Sequence, residues 1–164
     1  MTTKKRTRKH AKNSPLTSIL VAVTGETSDE TAVRFACELL DEQHSKLYIL
    51  YIIEVEMTLP IDAEISTSTA RGEEILDQME DISKIYKCET QAELLQSRRS
   101  GLAIVQESVD KQVDAIVLGI PYQEMYGSFS IGNIAPYILE NAPCRVFLER
   151  EPIPPKSINN SFTP

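Results

Sequence analysis

The sequence contains no tryptophan, only two histidines and only three cysteines in 164 residues. The cysteines Cys37, Cys88 and Cys144 are odd in number and widely spaced, without a C-x-x-C pair. This spacing favours reduced thiols over a disulfide framework or a zinc site. His10 lies in a basic segment and His44 in a polar one, so neither has the partners of a metal site or a catalytic triad. We expect no metal site and no catalytic residue, and we interpret the protein as a non-enzyme.

Long apolar runs are also missing. Nothing approaches the roughly 18 consecutive apolar residues that a membrane span needs. The N-terminus lacks the apolar stretch and cleavage site of a secretory signal, so we expect a cytoplasmic protein. Six of the 17 basic residues lie in residues 1–12, which leaves 11 basic against 24 acidic side chains, a balance of −13, in the other 152. An acidic body of this kind does not favour nucleic acid as a partner.

The two ends of the chain differ in composition from the rest. Residues 1–16 form a basic arm, for which contact with phosphates or an anionic membrane surface is an alternative to plain solvation. Residues 151–164 contain four prolines together with Asn, Ser and Thr, which disfavours any regular element. We predict that both ends are disordered and that residues 17–150 form one domain.

Between these ends, apolar runs typical of strands alternate with helical stripes. The runs lie at residues 19–23, 47–53, 89–96, 115–118 and 145–149. Strands that alternate with longer helices predict right-handed crossovers, and therefore an α/β fold with a mainly parallel sheet and helices on both faces. The third run is the most polar, which predicts a position at the edge of the sheet. Residues 55–69 are rich in Ser and Thr and predict a loop.

Two helix starts carry capping signals. Thr27 and Glu30 have the spacing of a capping box, which predicts reciprocal hydrogen bonds at the start of the first helix. Asn133 precedes a short helix over residues 134–141 and is a good N-cap residue. A contact between Asn133 and a ligand is the alternative to this capping role.

The segment 114–150 has the order of strand, glycine-containing loop, short helix and strand. It resembles the C-terminal signature of the universal stress protein family, in which the loop has Gly, two residues, Gly, nine residues, Gly, and then Ser or Thr. Gly119 and Gly132 stand at the first and third glycine positions. The run Ala142-Pro143-Cys144-Arg145-Val146 resembles the family's entry into its last strand.

This resemblance covers roughly residues 17–150 and implies a fold. The expected sheet is open, five-stranded and mainly parallel with strand order 3-2-1-4-5, in an adenine-nucleotide alpha-hydrolase-like, Rossmann-like arrangement. A binding crevice is then expected between strands 1 and 4, where the order reverses. The fifth strand would lie at an edge and pair two copies into a homodimer. The similarity to members fused to amino-acid permeases implies a transporter or another protein as a further partner.

The chain departs from the nucleotide-binding members at three positions. Thr24 stands where they have an acidic residue, Tyr122 replaces the second glycine, and Asn133 replaces the hydroxyl residue. The loop 120–131 has no Lys or Arg, and Glu124 adds a negative charge. These departures predict weak or lost ATP binding. We interpret Tyr122 as a residue that packs the loop, with stacking on a bound base as the alternative.

Two functional hypotheses follow from the resemblance. In the first, the protein is a cytoplasmic stress-response or signalling module that acts by dimerisation and protein contact, with no certain cofactor. In the alternative, it is a small-ligand sensor that still binds an adenine nucleotide such as ATP or AMP in the crevice. The binding residues implied by the resemblance are Thr24, Ile52, Gly119, Tyr122, Gly132, Asn133 and Ile134.

Overall fold

The computed structural model describes residues 15–41 and 44–153. The strands are β1 (Ser18–Val23), β2 (Lys46–Glu54), β3 (Glu89–Ser97), β4 (Ala115–Ile120), β5 (Glu124–Met125), β6 (Ser128–Phe129) and β7 (Arg145–Arg150). The helices are α1 (Ser28–Leu39), α2 (Ser66–Ile85), α3 (Ser100–Asp110) and α4 (Ile134–Asn141). Residues 1–14 and 154–164, which make up most of the two predicted disordered ends, lie outside the described residues.

The central sheet is parallel and has the order β3-β2-β1-β4-β7. This confirms the predicted order 3-2-1-4-5, with β7 as the fifth strand. The strands β1 and β4 lie in the middle of the sheet, and their apolar runs are almost completely buried. Continuous burial on both faces explains why neither run alternates between polar and apolar residues.

Helices cover both faces of the sheet, as predicted. The helices α1 and α2 pack on one face, where Val33 and Met79 join Val21 and Val117 of the sheet. The helices α3 and α4 pack on the other face, where Ile104 and Ile138 are buried with residues of β1, β2 and β4. The result is a three-layer α/β sandwich whose central strands end between two helical layers.

Some element boundaries differ from the sequence prediction. The helix α2 begins at Ser66, inside the predicted loop 55–69, because its first turn faces solvent and is polar. The third strand, β3, does lie at the sheet edge, and none of its residues is fully buried.

The short antiparallel hairpin β5–β6 was not predicted. Tyr126 and Gly127 form its turn with φ of 53° and 77°, the left-handed backbone that two-residue hairpin turns require.

The predicted capping box at the start of α1 is wrong. The Thr27 side chain makes no hydrogen bond to the helix backbone. Its hydroxyl instead donates to the carboxylate of Glu151, and the Thr31 hydroxyl donates to Glu149 at 2.7 Å. The backbone N–H of Glu151 also donates to the Ile120 carbonyl at 3.0 Å. The chain that leaves β7 is therefore fastened to the start of α1, so long-range contacts replace the local cap.

One carboxylate ties the strands together at their amino ends. The Oδ2 atom of Asp114 accepts hydrogen bonds from the backbone N–H groups of Thr17 and Ser18, at 2.9 and 3.0 Å, and from both hydroxyls. Burial works to raise the pKa of Asp114, but these hydrogen bonds outweigh it and lower the pKa. The packed region also includes Leu16, which is buried and bridges to Leu40.

Candidate functional site

A cavity of about 210 Å³ opens at the carboxyl ends of β1 and β4. Here the chain crosses from β1 to one side of the sheet and from β4 to the other, which is where open α/β sheets bind ligands. The walls are formed by the ends of β1, β2 and β4, the loop after β4, and the starts of α3 and α4. Most of the lining is apolar, including Ala22, Leu50, Ile104, Leu118 and Ile131.

Six of the seven predicted site residues line this cavity. They come from four separate parts of the chain and meet only in the folded protein: Thr24, Ile52, Gly119, Gly132, Asn133 and Ile134. Tyr122 does not line the cavity, although its neighbours Pro121 and Gln123 do. That these residues bind a ligand stays a prediction.

Tyr122 packs within its own loop. Its ring is stacked on Phe129 of β6, with ring centroids 5.8 Å apart and an interplanar angle of 14°. The Tyr122 hydroxyl donates to Glu124 at 2.7 Å, and the Arg150 guanidinium lies 5.9 Å from the ring centroid. The side chain at the second glycine position thus joins the hairpin β5–β6 to the end of β7. This geometry supports loop packing rather than stacking on a base.

Gly119 is a packing residue of the core. A Cβ atom at this position would clash with the Ser28 carbonyl oxygen and lie 2.8 Å from its carbonyl carbon. The start of α1 therefore rests directly on the β4 backbone, and only glycine permits this approach. Ser28 is fully buried, and its hydroxyl has no hydrogen-bond partner within residues 15–41 and 44–153. The first glycine of the motif is thus explained without any phosphate.

Gly132 and Asn133 have a different environment. Gly132 has a φ of 72°, and a Cβ atom there would have no heavy atom within 4 Å. Asn133 directly precedes α4, as predicted, but its side chain makes no capping hydrogen bond. The predicted cap is therefore wrong in its chemistry, because Asn133 has a helical backbone (φ −106°, ψ −17°) that does not direct its side chain back to the helix. Asn133 is exposed and lines the cavity.

Asp29 holds the backbone of the lining residue Thr24, a role that the sequence reasoning missed. Its Oδ2 atom accepts hydrogen bonds from the backbone N–H groups of Thr24 and Gly25, at 2.9 and 2.6 Å. Only 2% of Asp29 is exposed, and this burial raises its pKa in spite of the backbone hydrogen bonds. A carboxylate is thus present near Thr24, but it holds the turn after β1 and does not line the cavity. Its place in the first turn of α1 was the feature of the sequence that could have indicated a carboxylate bonded to nearby backbone N–H groups.

The cavity has an acidic rather than a basic rim. Glu26 is the only charged residue among the described residues that line it, and no Lys or Arg does so. At the start of α3, Glu54 accepts a hydrogen bond from the backbone N–H of Ser100 at 2.9 Å. The nearby Arg98 is used elsewhere, since its guanidinium donates to the Val55, Glu56 and Leu59 carbonyls. The site therefore offers a ligand little positive charge.

Two further searches concern only residues 15–41 and 44–153. No group of three or more His, Cys, Asp or Glu side chains is placed there to hold a metal ion. Within the same ranges, no helix combines the length and the apolar character that a bilayer crossing requires.

Comparison with known proteins agrees with this architecture. A sequence profile described as "Universal stress protein family" matches residues 15–150. The chain belongs to the universal stress protein family. It is 21% identical over 140 residues to a universal stress protein of Methanocaldococcus jannaschii, and the match covers 82% of each chain.

Solved structures of the family share the fold. A universal stress protein from Archaeoglobus fulgidus in complex with dAMP has a TM-score of 0.65 and 18% identity, covering 82% of this chain and 98% of the other. A family protein from Arabidopsis thaliana with AMP bound has a TM-score of 0.61 and 18% identity, covering 83% and 92%. At this identity the likeness establishes the Rossmann-like fold of this universal stress protein.

Proposed function

We propose that this universal stress protein binds the nucleoside part of an adenine nucleotide in the cavity, with weak or no affinity for ATP. The observation that carries the proposal is the composition of the lining, which is mainly apolar, holds no Lys or Arg among its described members, and includes Glu26. Flat, uncharged groups such as a purine suit walls of this kind. The dAMP and AMP in the two related structures make adenine the base of choice.

The size of the cavity supports a small ligand. Its volume of about 210 Å³ is below the range of about 300–1,000 Å³ that is usual for ligand pockets. A nucleoside is the part of a nucleotide that needs apolar enclosure, whereas phosphates can extend into solvent. We therefore place the base and sugar between Ile52, Ile134 and the end of β4, with any phosphate toward Gly132.

The charge near Gly132 limits how many phosphates the site can hold. The start of α4 presents backbone N–H groups without a side-chain cap, and a helix N-terminus stabilises a nearby negative charge by about 0.3–1 kcal/mol. Pro136 removes one donor from the first turn. Against this, two like charges about 4 Å apart repel by about 1 kcal/mol in water and more near a protein surface. One phosphate fits this balance, and a triphosphate does not.

Thermal-shift and calorimetric titrations with adenosine, AMP and ATP test the proposal. Adenosine and AMP should raise Tm, and ATP should raise it least; a ligand at 100 times its Kd adds about 2.7 kcal/mol of stability. Asn133→Ala should weaken AMP binding by about tenfold, which corresponds to the loss of one hydrogen bond. Asn141→Ala, at the other end of α4, is the matched control and should leave binding unchanged. Tightest binding by ATP, or equal effects of the two variants, would contradict the proposal.

The proposal includes a homodimer through β7. This strand pairs with β4 on one side only among the described residues, so its other edge is open. Leu148 on β7 is 38% exposed, and an open edge with apolar side chains favours pairing with a second copy. Light scattering should show a dimer for the wild type and a monomer for Leu148→Lys. The control Leu139→Lys changes an exposed leucine of α4 and should remain a dimer; a monomeric wild type at concentrations far above micromolar would exclude this interface.

We also propose that the protein acts in the cytoplasm as a signalling module, by binding and protein contact rather than by catalysis. Family membership supports this role, and the free thiols of Cys37, Cys88 and Cys144 suit a reducing compartment. Chromatography after long incubation with ATP should find no ADP or AMP beyond a protein-free blank. Fractionation of the source cells should place the protein in the soluble cytoplasmic fraction.

A further inference from the structure

Two of the three cysteines line one cavity at the end of the molecule opposite the cavity between β1 and β4. Cys37 lies in the last turn of α1, and Cys88 lies in the turn between α2 and β3. They are 51 positions apart in sequence, yet both line one cavity of about 380 Å³. Burial raises the pKa of the Cys37 thiol, and the hydrogen bond and charge of the neighbouring Cys88 thiol raise it further. The two thiols therefore share one cavity and pack on the same core cluster.

The two thiols differ in their exposure to solvent. Cys37 is 7% exposed and belongs to the buried core cluster, whereas Cys88 is half-buried and only packs against that cluster. Cys88 also follows Lys87, which has a φ of 58° and lines the same cavity. A small oxidant that enters the cavity can reach Cys88, the more exposed of the two thiols, in a cavity that Lys87 and Cys37 also line. Paired thiols of this kind, one accessible and one resolving, are typical of redox-sensitive sites.

We infer that Cys37 and Cys88 form a reversible dithiol site that a hydroperoxide oxidises to an intramolecular disulfide. In the first step the Cys88 thiolate attacks a peroxide oxygen, the O–O bond breaks, and Cys88 becomes a sulfenic acid. With hydrogen peroxide the leaving group is hydroxide, which takes up the proton that Cys88 lost. In the second step the Cys37 sulfur attacks the sulfenic sulfur, and the sulfenic oxygen leaves as water with the Cys37 proton. One peroxide is reduced to two waters as two thiols become one disulfide.

The disulfide would join two elements that β2 and α2 separate in the chain. It would fix the end of α1 to the start of the edge strand β3. A bond across a loop of this length restricts the unfolded chain strongly, so the oxidised protein should be the more stable form. A cellular dithiol reductant would restore the two thiols by exchange. The stability of the α1–α2 face would then depend on the redox state.

Peptide mapping of the full chain tests this inference. The reduced protein is treated with hydrogen peroxide, free thiols are blocked, and the digest is analysed without reductant. We expect a linked pair of the Cys37 and Cys88 peptides, lighter than the two reduced peptides by two hydrogen atoms, and its reversal by dithiothreitol. Tm of the oxidised protein should rise by about 5–10 °C.

Three serine variants supply the controls. Cys144→Ser should form the link as the wild type does, because Cys144 lies against the other face of the sheet. Cys88→Ser should keep Cys37 as a thiol, and Cys37→Ser should leave a sulfenic acid at Cys88 that dimedone labels. If Cys37→Ser does not fold, mapping of the wild type decides alone. A link that involves Cys144 or a second copy, or Cys88 oxidised to sulfinic acid beside an unmodified Cys37, would overturn the inference.

Discussion

At the amino ends of β1 and β4, one oxygen of Asp114 accepts four hydrogen bonds from Thr17 and Ser18. At the carboxyl ends of the same two strands there is a cavity, an uncapped helix start and a loop that carries Gly132. Apart from Ser18, which donates to Asp114, β1 and β4 contain only apolar residues, so the strands contribute little to this difference. It comes from the connections, which close one end with side-chain hydrogen bonds and leave a helix start without a side-chain cap at the other.

The comparison of the two sheet ends indicates that the residues that stabilise the fold and the residues that would bind a ligand lie at opposite ends of the strands. Substitutions at the amino end should change the free energy of unfolding and leave ligand affinity alone. Substitutions in the loop at the carboxyl end should change ligand affinity more than the free energy of unfolding. Gly119 is the informative exception, because it lies at the carboxyl end but is packed beneath Ser28.

The largest effect is expected for Gly119→Ala. The added Cβ would clash with the Ser28 carbonyl, so the start of α1 must shift, at a cost of about 3 kcal/mol. Gly132→Ala is the matched control, since its Cβ has open space and the cost is only that of a left-handed backbone, about 1 kcal/mol. Urea unfolding of both variants measures the difference. Equal losses would break the distinction between a core glycine and a loop glycine.

The next effect is expected for Asp114→Ala, at the closed end. Loss of an acceptor shared by Thr17 and Ser18 should destabilise the protein by about 2 kcal/mol. AMP affinity, measured by calorimetry below the unfolding transition, should not change. Asp110→Ala, an exposed carboxylate at the end of α3, is the control and should stay within about 0.5 kcal/mol of the wild type. A large loss of AMP affinity in Asp114→Ala would show that the two ends are coupled.

A smaller effect of opposite sign is expected for Ser28→Ala. The Ser28 hydroxyl is buried without a partner in the described part of the chain, so its removal should stabilise the protein by about 1 kcal/mol. Ser108→Ala removes a buried hydroxyl that donates to the Val105 carbonyl at 2.6 Å, and it should destabilise by about the same amount. Chemical unfolding of the two variants measures the sign of each change in the free energy of unfolding. Destabilisation by Ser28→Ala would mean that the hydroxyl has a partner, such as bound water.

The smallest effect concerns pH: Asp114 and Asp29 should change the free energy of unfolding with pH in opposite directions. The folded pKa of Asp114 is lowered from its ordinary value of 3.8, so its contribution is complete above that pH and is lost as the pH falls through the folded pKa. The folded pKa of Asp29 is raised from 3.8 by burial, so folding favours its protonated form. The wild type should therefore lose stability relative to Asp29→Asn as the pH rises through the range above 3.8. Relative to Asp114→Asn it should lose stability as the pH falls below 3.8. Unfolding curves across this range check both slopes, and slopes of the same sign would contradict them.

Much of the fold could be predicted because local patterns determine it. The polar third run indicated that β3 lies at the edge of the sheet, whereas the order of the other strands came from the family resemblance. The helical first turn at Ser66 was missed, since exposed Ser and Thr are equally common in loops and in solvent-facing turns. The hairpin β5–β6 was missed because two-residue strands give no periodic signal.

The candidate site was only partly predictable. Gly119 and Gly132 could be found from their spacing, but the spacing did not distinguish a core contact from an open loop position. The Asn133 cap and the Thr27 cap were wrong for the same reason. Residue type and spacing indicate that a hydrogen bond is possible, and the partner that the side chain meets depends on where distant segments are packed.

The sequence by itself determined the α/β alternation, the burial of the central strands and the scarcity of positive charge in the loop after β4, since composition and periodicity act within a few residues. Only the tertiary structure decided that Ser28 covers Gly119 and that Cys37 and Cys88 line one cavity. Each of these contacts joins segments that are brought together by the pairing of strands and the packing of helices. That pairing minimises exposed apolar surface over the whole chain, so no local window of sequence encodes it.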